Sequence, residues 1–403
     1  MYLYDTLSGA KAELEIPHDR ALTLYVCGVT PYDTTHVGHA HTFLIFDLLN
    51  RTIRSQGGRV LYCQNVTDVD DPLFERATRD GVDWQELAAR EVAQFQKDCA
   101  GLNMIAPDFY PKASDEIGTM IPLIETLIAN GAAYVRSGNV YFDVSTEPDY
   151  GAMARLDGYD ALLALANERG NDPNDPLKGD PLDFVLWKTG EPGDPTWPSP
   201  WGPGRPGWHI ECTAMSTRYL GNQLDIHGGG RDLVFPHHPS EIVQTEAATG
   251  VRPFVRFWVH GGLTWLDGAK MSKSLGNMVF IRDALTRHSA DALRWYLLSF
   301  PYRDDFHYVT DDVVATEAHI ARLRDALAAA GGHSAPLSIE THRSAFFTAL
   351  YDDLQTPAAL KHLAEASAAI LDAASGGADV HAAQGSLRDM AKTFGFLAAG
   401  AER

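Results

Sequence analysis

The clearest candidates for functional residues are two histidines at the start of a predicted helix. His36 and His39 bracket Gly38 in the sequence HVGH, directly after a predicted buried strand. Glycine lets a phosphate chain approach the backbone closely, and a helix N-terminus with two imidazoles can meet its negative charge. The pattern therefore predicts a phosphate-binding site. Two surface histidines beside a turn are the alternative, which these four residues alone favour.

A second candidate lies much later in the chain, in the sequence KMSKS at residues 270–274. Two lysines and two hydroxyls on one short segment suit a triphosphate whose charge grows as pyrophosphate leaves. Taken alone, the segment is equally well explained as a solvated loop. Its members are Lys270, Met271, Ser272, Lys273 and Ser274.

Together, the two segments resemble the signature motifs of class I aminoacyl-tRNA synthetases, in which both lie at one ATP site on a Rossmann-type fold. The resemblance implies that ATP, with Mg²⁺, converts a carboxylic acid into an acyl-adenylate. By the same resemblance, the residues expected to stabilise the transition state are His36, His39, Lys270 and Lys273. No general base is needed, because a carboxylate is already a nucleophile, so catalysis is mainly positioning and charge stabilisation.

Four further residues could form a zinc site. His237 and Glu241 are four positions apart, which on a helix places both side chains on one face. Cys27 and Cys212 would complete a set of two thiolates, one imidazole and one carboxylate, which are donors that zinc accepts. Spacing alone does not bring the two cysteines together, and unrelated buried thiols are the alternative.

The surroundings of these residues resemble the three zinc-bearing motifs of cysteinyl-tRNA synthetases. The matching segments are residues 25–28 (YVCG), 207–212 (GWHIEC) and 237–238 (HH). In that family the metal recognises the thiolate of the substrate, so the resemblance implies one Zn²⁺ per chain and L-cysteine as the activated acid. A serine hydroxyl is a poorer zinc ligand, so coordination can select cysteine where pocket size cannot. Cys63 and Cys99 lie outside the motifs and are expected in the core.

A glycine-rich segment at residues 227–232 (HGGGRD) suits close backbone approach to a nucleotide, although a simple turn explains it equally well. The resembled family usually has a small residue where Arg231 stands. By resemblance, the pocket for ATP and cysteinyl-adenylate is expected to contain Gly28, Val29, Thr30, Gly38, Thr42, Asn65, Val66, Thr67, Trp208, Gly230, Arg231, Asp232 and Thr264, with Met271, Ser272 and Ser274. For Trp208, a packed core aromatic is the main alternative.

Two branches of the resembled family differ in the acceptor of the cysteinyl group. Residues 64–77 and 168–173 (ERGNDP) resemble the mycothiol-pathway cysteine ligases, which use the amine of glucosaminyl-inositol; Asn171 stands where their motif has glycine. Glu241 instead matches the cysteinyl-tRNA synthetases, because the mycothiol ligases lack a carboxylate there. We favour the amino-sugar acceptor over tRNA. An inactive paralogue that binds a nucleotide or a partner protein is a third hypothesis.

The elements that must position these residues begin with a βαβ unit. Residues 22–28 predict a buried strand, residues 36–51 a helix and residues 59–66 a second strand, the pattern of a parallel sheet. We therefore expect an α/β fold in which a Rossmann-type (HUP) catalytic domain, with an inserted segment, precedes an α-helical bundle.

We expect the catalytic domain to span residues 1–310, with a connective insertion at about 100–205, and the helical bundle to span residues 311–403. Within the insertion, residues 166–208 are rich in Gly, Pro, Asp and Trp and predict a long loop. No anticodon-binding domain is apparent. Residues 311–403 contain 12 Asp and Glu and 7 Lys and Arg. This excess of negative charge is unfavourable for binding the phosphates of an RNA backbone.

The bulk composition is typical of a globular protein. Apolar residues make up 45% and charged residues 21% of the chain, and the formal net charge is −20. Such an acidic balance disfavours broad binding to nucleic acid. Neither a long apolar run nor a signal-peptide pattern is visible, so we expect a cytoplasmic protein without membrane contact. We also expect the protein to be a monomer.

Overall fold

The computed structural model describes residues 1–32, 35–190, 193–266 and 278–397, with the backbone of residues 269–270. The strands are β1 (Tyr2–Asp5), β2 (Ala10–Glu13), β3 (Leu22–Val29), β4 (Val60–Val66), β5 (Ala133–Arg136), β6 (Asn139–Phe142), β7 (Phe184–Thr189), β8 (Gly204–Pro206), β9 (Leu224–Gly230), β10 (Val255–Gly261), β11 (Thr264–Leu266), β12 (Ala269–Lys270), β13 (Phe306–His307), β14 (Ser334–Pro336) and β15 (Ala378–Asp379).

The helices alternate with these strands and then dominate the end of the chain. They are α1 (Val37–Ser55), α2 (Asp71–Asp80), α3 (Trp84–Gly101), α4 (Ile117–Ala129), α5 (Tyr159–Glu168), α6 (Trp208–Leu220), α7 (His237–Thr249), α8 (Ile281–Ala284), α9 (Ala290–Leu297), α10 (Thr310–Ala328), α11 (Glu340–Tyr351), α12 (Thr356–Ser375) and α13 (His381–Thr393).

A four-stranded parallel sheet in the order β10-β9-β3-β4 forms the centre of the fold. Strand β3 is almost wholly apolar because both of its faces are covered. Leu24 and Val26 pack with residues of α1, whereas Tyr25 and Cys27 pack with residues of α6 on the opposite face. The architecture is therefore the predicted α/β, Rossmann-type sheet.

A second, antiparallel sheet in the order β5-β6-β7-β8 is formed by the segment between β4 and α6. The prediction of a long loop over residues 166–208 is wrong where β7 and β8 lie. Phe184, Leu186 and Trp187 of β7 are buried in the same cluster as Cys27. The Gly- and Pro-rich flanks obscured this short apolar run in the sequence, and its pairing with β6 and β8 defines it as a strand.

The last four helices, α10 to α13, pack on one another and on the sheet domain. The buried guanidinium of Arg294, in α9, connects the two parts. It donates hydrogen bonds to Leu102 O at 2.7 Å and to Phe394 O at 3.0 Å, and it forms an ion pair with Asp47 Oδ2 at 2.7 Å. Arg294 thus joins α1, the start of the insertion and the end of α13.

A search of the described helices for membrane spans found no segment with the length and apolar composition that a crossing requires.

Candidate active site

The candidate site lies at the carboxyl edge of the parallel sheet. Val29 pairs with Val66 where β3 and β4 end, and β9 ends alongside at Gly230. In open α/β sheets this edge is where ligands bind, because the loops that leave the strands diverge there. Parallel pairing therefore brings together residues that lie far apart in the sequence.

The side chains of the four predicted metal ligands lie close together near this edge. Cys27 lies on β3, Cys212 on α6, and His237 and Glu241 one turn apart on α7. The two Sγ atoms are 3.8 Å apart, Cys27 Sγ is 3.6 Å from Glu241 Oε1, and His237 Nε2 is 3.2 Å from the same oxygen. All four side chains are buried, and one ligand atom from each lies within 4.8 Å of the others.

The donor chemistry of this cluster fits a divalent cation. Burial raises the pKa of the Glu241 carboxyl and of the Cys27 thiol well above their usual ranges, and it lowers the pKa of His237. Without a cation these groups are held in their neutral forms, because isolated charge is costly to bury. Two thiols, an imidazole and a carboxyl at this spacing are donors that zinc takes in tetrahedral sites.

Two histidines that the sequence analysis did not select extend the cluster. His227 Nε2 lies 2.9 Å from Glu241 Oε2, and His238 Nε2 lies 3.4 Å from Cys27 Sγ. Cys27, His227, His238 and Glu241 thus form a second set with metal-ligand spacing, which shares two members with the first. The adjacent pair at 237–238 was the available signal in the sequence, but spacing does not reveal which imidazole points inward.

Each of the two histidines on α7 contacts another histidine through its Nδ1 atom. His237 Nδ1 lies 2.8 Å from His209 Nδ1, and His238 Nδ1 lies 2.7 Å from His260 Nε2. His260 in turn contacts the hydroxyl of Thr6 at 2.8 Å. Such outer contacts fix the orientation of a ligating imidazole and leave its Nε2 directed at the metal position.

The HVGH segment begins helix α1, as predicted. The Nδ1 atom of His36 caps the helix by accepting hydrogen bonds from the backbone N–H groups of Gly38 at 3.1 Å and His39 at 3.4 Å. A neutral imidazole that accepts at Nδ1 carries its proton on Nε2, so the second ring nitrogen of His36 is a hydrogen-bond donor. A Cβ on Gly38 would lie 2.9 Å from the His36 ring, which explains the glycine.

Asn65 holds the ends of β3 and β4 together. Its Oδ1 accepts from Gly28 N at 2.8 Å, and its amide donates to Thr67 Oγ1 at 3.0 Å. A Cβ on Gly28 would lie 1.6 Å from Asn65 O, so only glycine allows the strands to come this close. Beyond them, the Thr30 hydroxyl donates to Asp70 Oδ2 at 3.1 Å.

The residues that flank the KMSKS segment contact the start of α1. Strand β12 pairs Lys270 with Trp265 through the backbone, and Val37 N donates to Val279 O at 2.9 Å. Thr264 lies beside Gly38, and the Thr42 hydroxyl donates to Gly38 O at 3.3 Å. The Lys270 side chain, Met271, Ser272, Lys273 and Ser274 lie outside the described residues.

Three further residues that were predicted to line the nucleotide pocket lie just after β9 or at the start of α6, and each contacts another side chain. Arg231 forms an ion pair with Asp305. Asp232 Oδ2 lies 3.9 Å from Arg169 Nη1, near the end of α5. Trp208 is 39% exposed, so it is not a core aromatic, and its ring stacks on His237 at 4.3 Å between centroids.

A cavity of about 420 Å³ opens beside this stacked pair, between α6 and the insertion. Trp208 and His209 form part of its wall. The charged residues in its lining are Asp70, Asp71, Asp172, Asp175, Arg169, Lys178, Lys188 and Arg205. The four acidic and four basic side chains balance, and Arg205 pairs directly with Asp71. The cavity can therefore offer both hydrogen-bond donors and acceptors without a strong net charge.

Comparison with known proteins identifies the relatives of this arrangement. The family model of the class I (C) tRNA synthetase catalytic domain matches residues 13–318. An L-cysteine:1D-myo-inositol 2-amino-2-deoxy-alpha-D-glucopyranoside ligase of Thermomonospora curvata is 45% identical over 363 residues, which are 89% of this chain and 86% of that protein. A cysteine–tRNA ligase of Dehalococcoides mccartyi is 43% identical over 363 residues, 89% of this chain and 78% of that protein.

Solved structures show the same fold at low sequence identity. The methionyl-tRNA synthetase of Mycobacterium tuberculosis in complex with methionyl-adenylate matches with a TM-score of 0.67 and 16% identity, over 93% of this chain and 89% of that one. A leucyl-tRNA synthetase of Agrobacterium radiobacter, from a ternary complex, gives 0.67 at 11% identity, over 93% and 83% of the two chains.

Proposed function

We propose that this chain, which belongs to the family of class I (C) tRNA synthetase catalytic domains, transfers activated cysteine to the amine of glucosaminyl-inositol. Its membership and its ligase relatives make it an ATP-dependent cysteine ligase. The relatives divide between two acceptors at nearly equal identity, so identity alone does not distinguish them.

The observation that carries the proposal is the charge balance of the cavity beside Trp208. An RNA end brings phosphates and is favoured by unpaired lysine and arginine. Here Arg205 pairs with Asp71, and Lys178 donates to Asp172 O at 2.9 Å. A lining of alternating carboxylates and cations instead suits a small molecule with many hydroxyls and one ammonium group.

One wall of the cavity comes from a segment that resembles the mycothiol-pathway ligases. Arg169, Gly170, Asn171 and Asp172 all lie in the ERGNDP sequence and line the cavity. A segment that resembles the amino-sugar ligases thus lines the cavity that we assign to the acceptor.

The first chemical step joins a carboxylate oxygen of cysteine to the α-phosphorus of ATP, and pyrophosphate leaves. His36, through its Nε2 proton, together with His39, Lys270 and Lys273, would stabilise the charge on the phosphates. Gly28 and Asn65 shape the floor of the adenylate position. Cys27, Cys212, His237 and Glu241 would hold Zn²⁺, which when bound supplies a site selective for the substrate's sulfur.

In the second step the acceptor nitrogen attacks the cysteinyl carbonyl carbon, the bond from that carbon to the adenylate oxygen breaks, and AMP leaves. An ammonium group must first lose a proton. Asp70 lines the cavity, and burial raises the pKa of its carboxyl to about 6, so it is suited to receive that proton.

Transfer to tRNA is the second candidate function, and one observation favours it. Glu241 stands within 3.6 Å of Cys27 Sγ, in the position where the sequence analysis expects a carboxylate only in the cysteinyl-tRNA synthetases.

A side-by-side comparison of the two acceptors tests the proposal. Purified protein is incubated with ATP and labelled cysteine, and with either glucosaminyl-inositol or total tRNA. We expect a cysteinyl amide of the amino sugar and no acylated tRNA. Acylated tRNA with no amide would overturn the acceptor, and no cysteine-dependent exchange of pyrophosphate into ATP would overturn the ligase assignment. Serine in place of cysteine is the control for metal-based selection.

A further inference from the structure

A second group of metal-binding side chains lies on the C-terminal helices, away from the site described above. His342 is on α11, and His362 and Glu365 are one turn apart on α12. One ligand atom from each lies within 4.8 Å of the others. We propose that these three residues form a second divalent zinc site, which links α11 to α12.

The geometry of the three side chains converges on one oxygen. Glu365 Oε2 lies 3.1 Å from His362 Nδ1 and 3.6 Å from His342 Nδ1. Neighbouring ligand atoms around tetrahedral zinc are about 3.3 Å apart, given bonds of about 2.0–2.1 Å. Two of the three separations are thus close to those of a loaded site. The third separation, between the two imidazoles, is at most 4.8 Å, and rotation of side chains that are 28–41% exposed can shorten it.

The donor set indicates which ion would bind. Two imidazoles and a carboxylate favour zinc and its first-row neighbours, whereas Mg²⁺ and Ca²⁺ prefer oxygen ligands alone. Three protein ligands leave the fourth position of a tetrahedral ion to water. The partial exposure of the ligands allows an ion to enter directly from solvent.

Two cationic side chains lie near the cluster, and one of them, Lys361, contacts a member of it. Lys361 Nζ is 3.8 Å from the other oxygen of Glu365, Oε1, so its charge opposes a bound cation. Arg343 is directed away, towards Glu340 at 3.5 Å and the Phe347 ring. Removal of the Lys361 charge should therefore tighten metal binding, which is an effect that non-specific surface binding does not predict.

The test is a calorimetric titration with ZnCl₂ of protein that already holds one equivalent of zinc per chain. We expect one additional equivalent in the unmodified protein. His342→Ala, His362→Ala and Glu365→Gln should each weaken that additional site at least tenfold, and Lys361→Ala should tighten it by about two- to fivefold. His381→Ala, an exposed histidine at the start of α13, is the matched control and should change nothing.

Cysteine-dependent pyrophosphate exchange in every variant reports that the fold and the first metal are intact. The proposal is overturned if the unmodified protein takes up no additional equivalent. It is also overturned if the ligand variants bind as the unmodified protein does, or if His381→Ala weakens binding as much as they do.

Discussion

Two buried carboxylates in the sheet domain are surrounded in opposite ways. Asp47 accepts from Ile105 N at 2.8 Å and pairs with Arg294 at 2.7 Å and Arg51 at 2.9 Å, so fixed cations neutralise it. The ion-pair partners of Glu241 in the described part of the chain are histidines, and burial raises the pKa of its carboxyl.

The difference separates a structural charge from a functional one. The charge of Asp47 is balanced by two arginines of the protein, so it requires no ion from solution. The resulting cluster joins segments of the chain. Burial disfavours the charged form of a carboxyl that is set among thiols and imidazoles, and a cation bound from outside would favour it. The cost of burying Glu241 would therefore be offset by a bound cation, whereas the cost of burying Asp47 is offset by the arginines of the protein.

Removal of a ligand from the Glu241 cluster should have the largest effect. We expect Cys212→Ala and His237→Ala to lose zinc and to lower cysteine-dependent pyrophosphate exchange by roughly a thousandfold or more, since loss of outer-shell contacts alone costs about 10–100-fold. Metal content and exchange are measured on the same samples. Cys99→Ala, which removes a thiol outside the cluster, is the control. Normal exchange in either ligand variant would contradict the metal assignment.

Removal of the fixed cation should affect stability and not chemistry. Arg294→Met leaves Asp47 without its fully buried partner, and we expect the free energy of unfolding to fall by about 3–5 kcal/mol. Denaturant unfolding measures this change. Zinc content per folded molecule should stay constant. The double variant Arg294→Met with Asp47→Leu should regain part of the loss, and a further decrease instead would show that the charge is not the cause.

A third buried group, His41, lies outside both clusters and contacts the carbonyl oxygen of Leu297 at 3.0 Å through its Nδ1 atom. Burial lowers its pKa to about 4, below the unfolded value of about 6.5, so only the unfolded chain takes up a proton between those values. Stability should then fall as the pH falls through that window. His41→Asn removes this dependence, so its deficit relative to the unmodified protein should shrink by up to about 1.4 kcal/mol per pH unit below 6.5. Parallel curves of unfolding free energy against pH would refute the effect.

The exposed ion pair of Arg231 and Asp305 should have the smallest effect. Arg231 is 44% and Asp305 31% exposed, and exposed pairs contribute little. We expect Arg231→Ala to change the free energy of unfolding by less than about 1 kcal/mol. Pyrophosphate exchange tests separately whether Arg231 contacts the nucleotide. A large loss of exchange would support the predicted contact, and an unchanged rate would contradict it.

The sequence predicted the elements whose hydrophobic period is local. The strand at residues 22–28, the helix at 36–51 and the strand at 59–66 correspond to β3, α1 and β4 within a few residues. The pattern failed at β7, where a short apolar run is defined only by its partner strands. Local patterns carry no information on pairing between distant segments.

The candidate site was predictable in part. The i, i+4 spacing of His237 and Glu241 predicts one helix face, and both side chains point into the cluster. That Cys27 meets Cys212, 185 positions away, follows from strand order and helix packing, which only the family resemblance supplied in advance. His227 and His238 were missed because residue type alone does not tell a buried ligand from a buried spectator.

The contacts of Arg294 bear on how this protein can be divided. A fragment that ended near residue 310 would lack Phe394, whose carbonyl oxygen accepts from the guanidinium that also holds α1 and Leu102. The helices at the end of the chain are therefore not a detachable module. We expect one cooperative melting transition for both parts, and mutational damage at either end should reach the other.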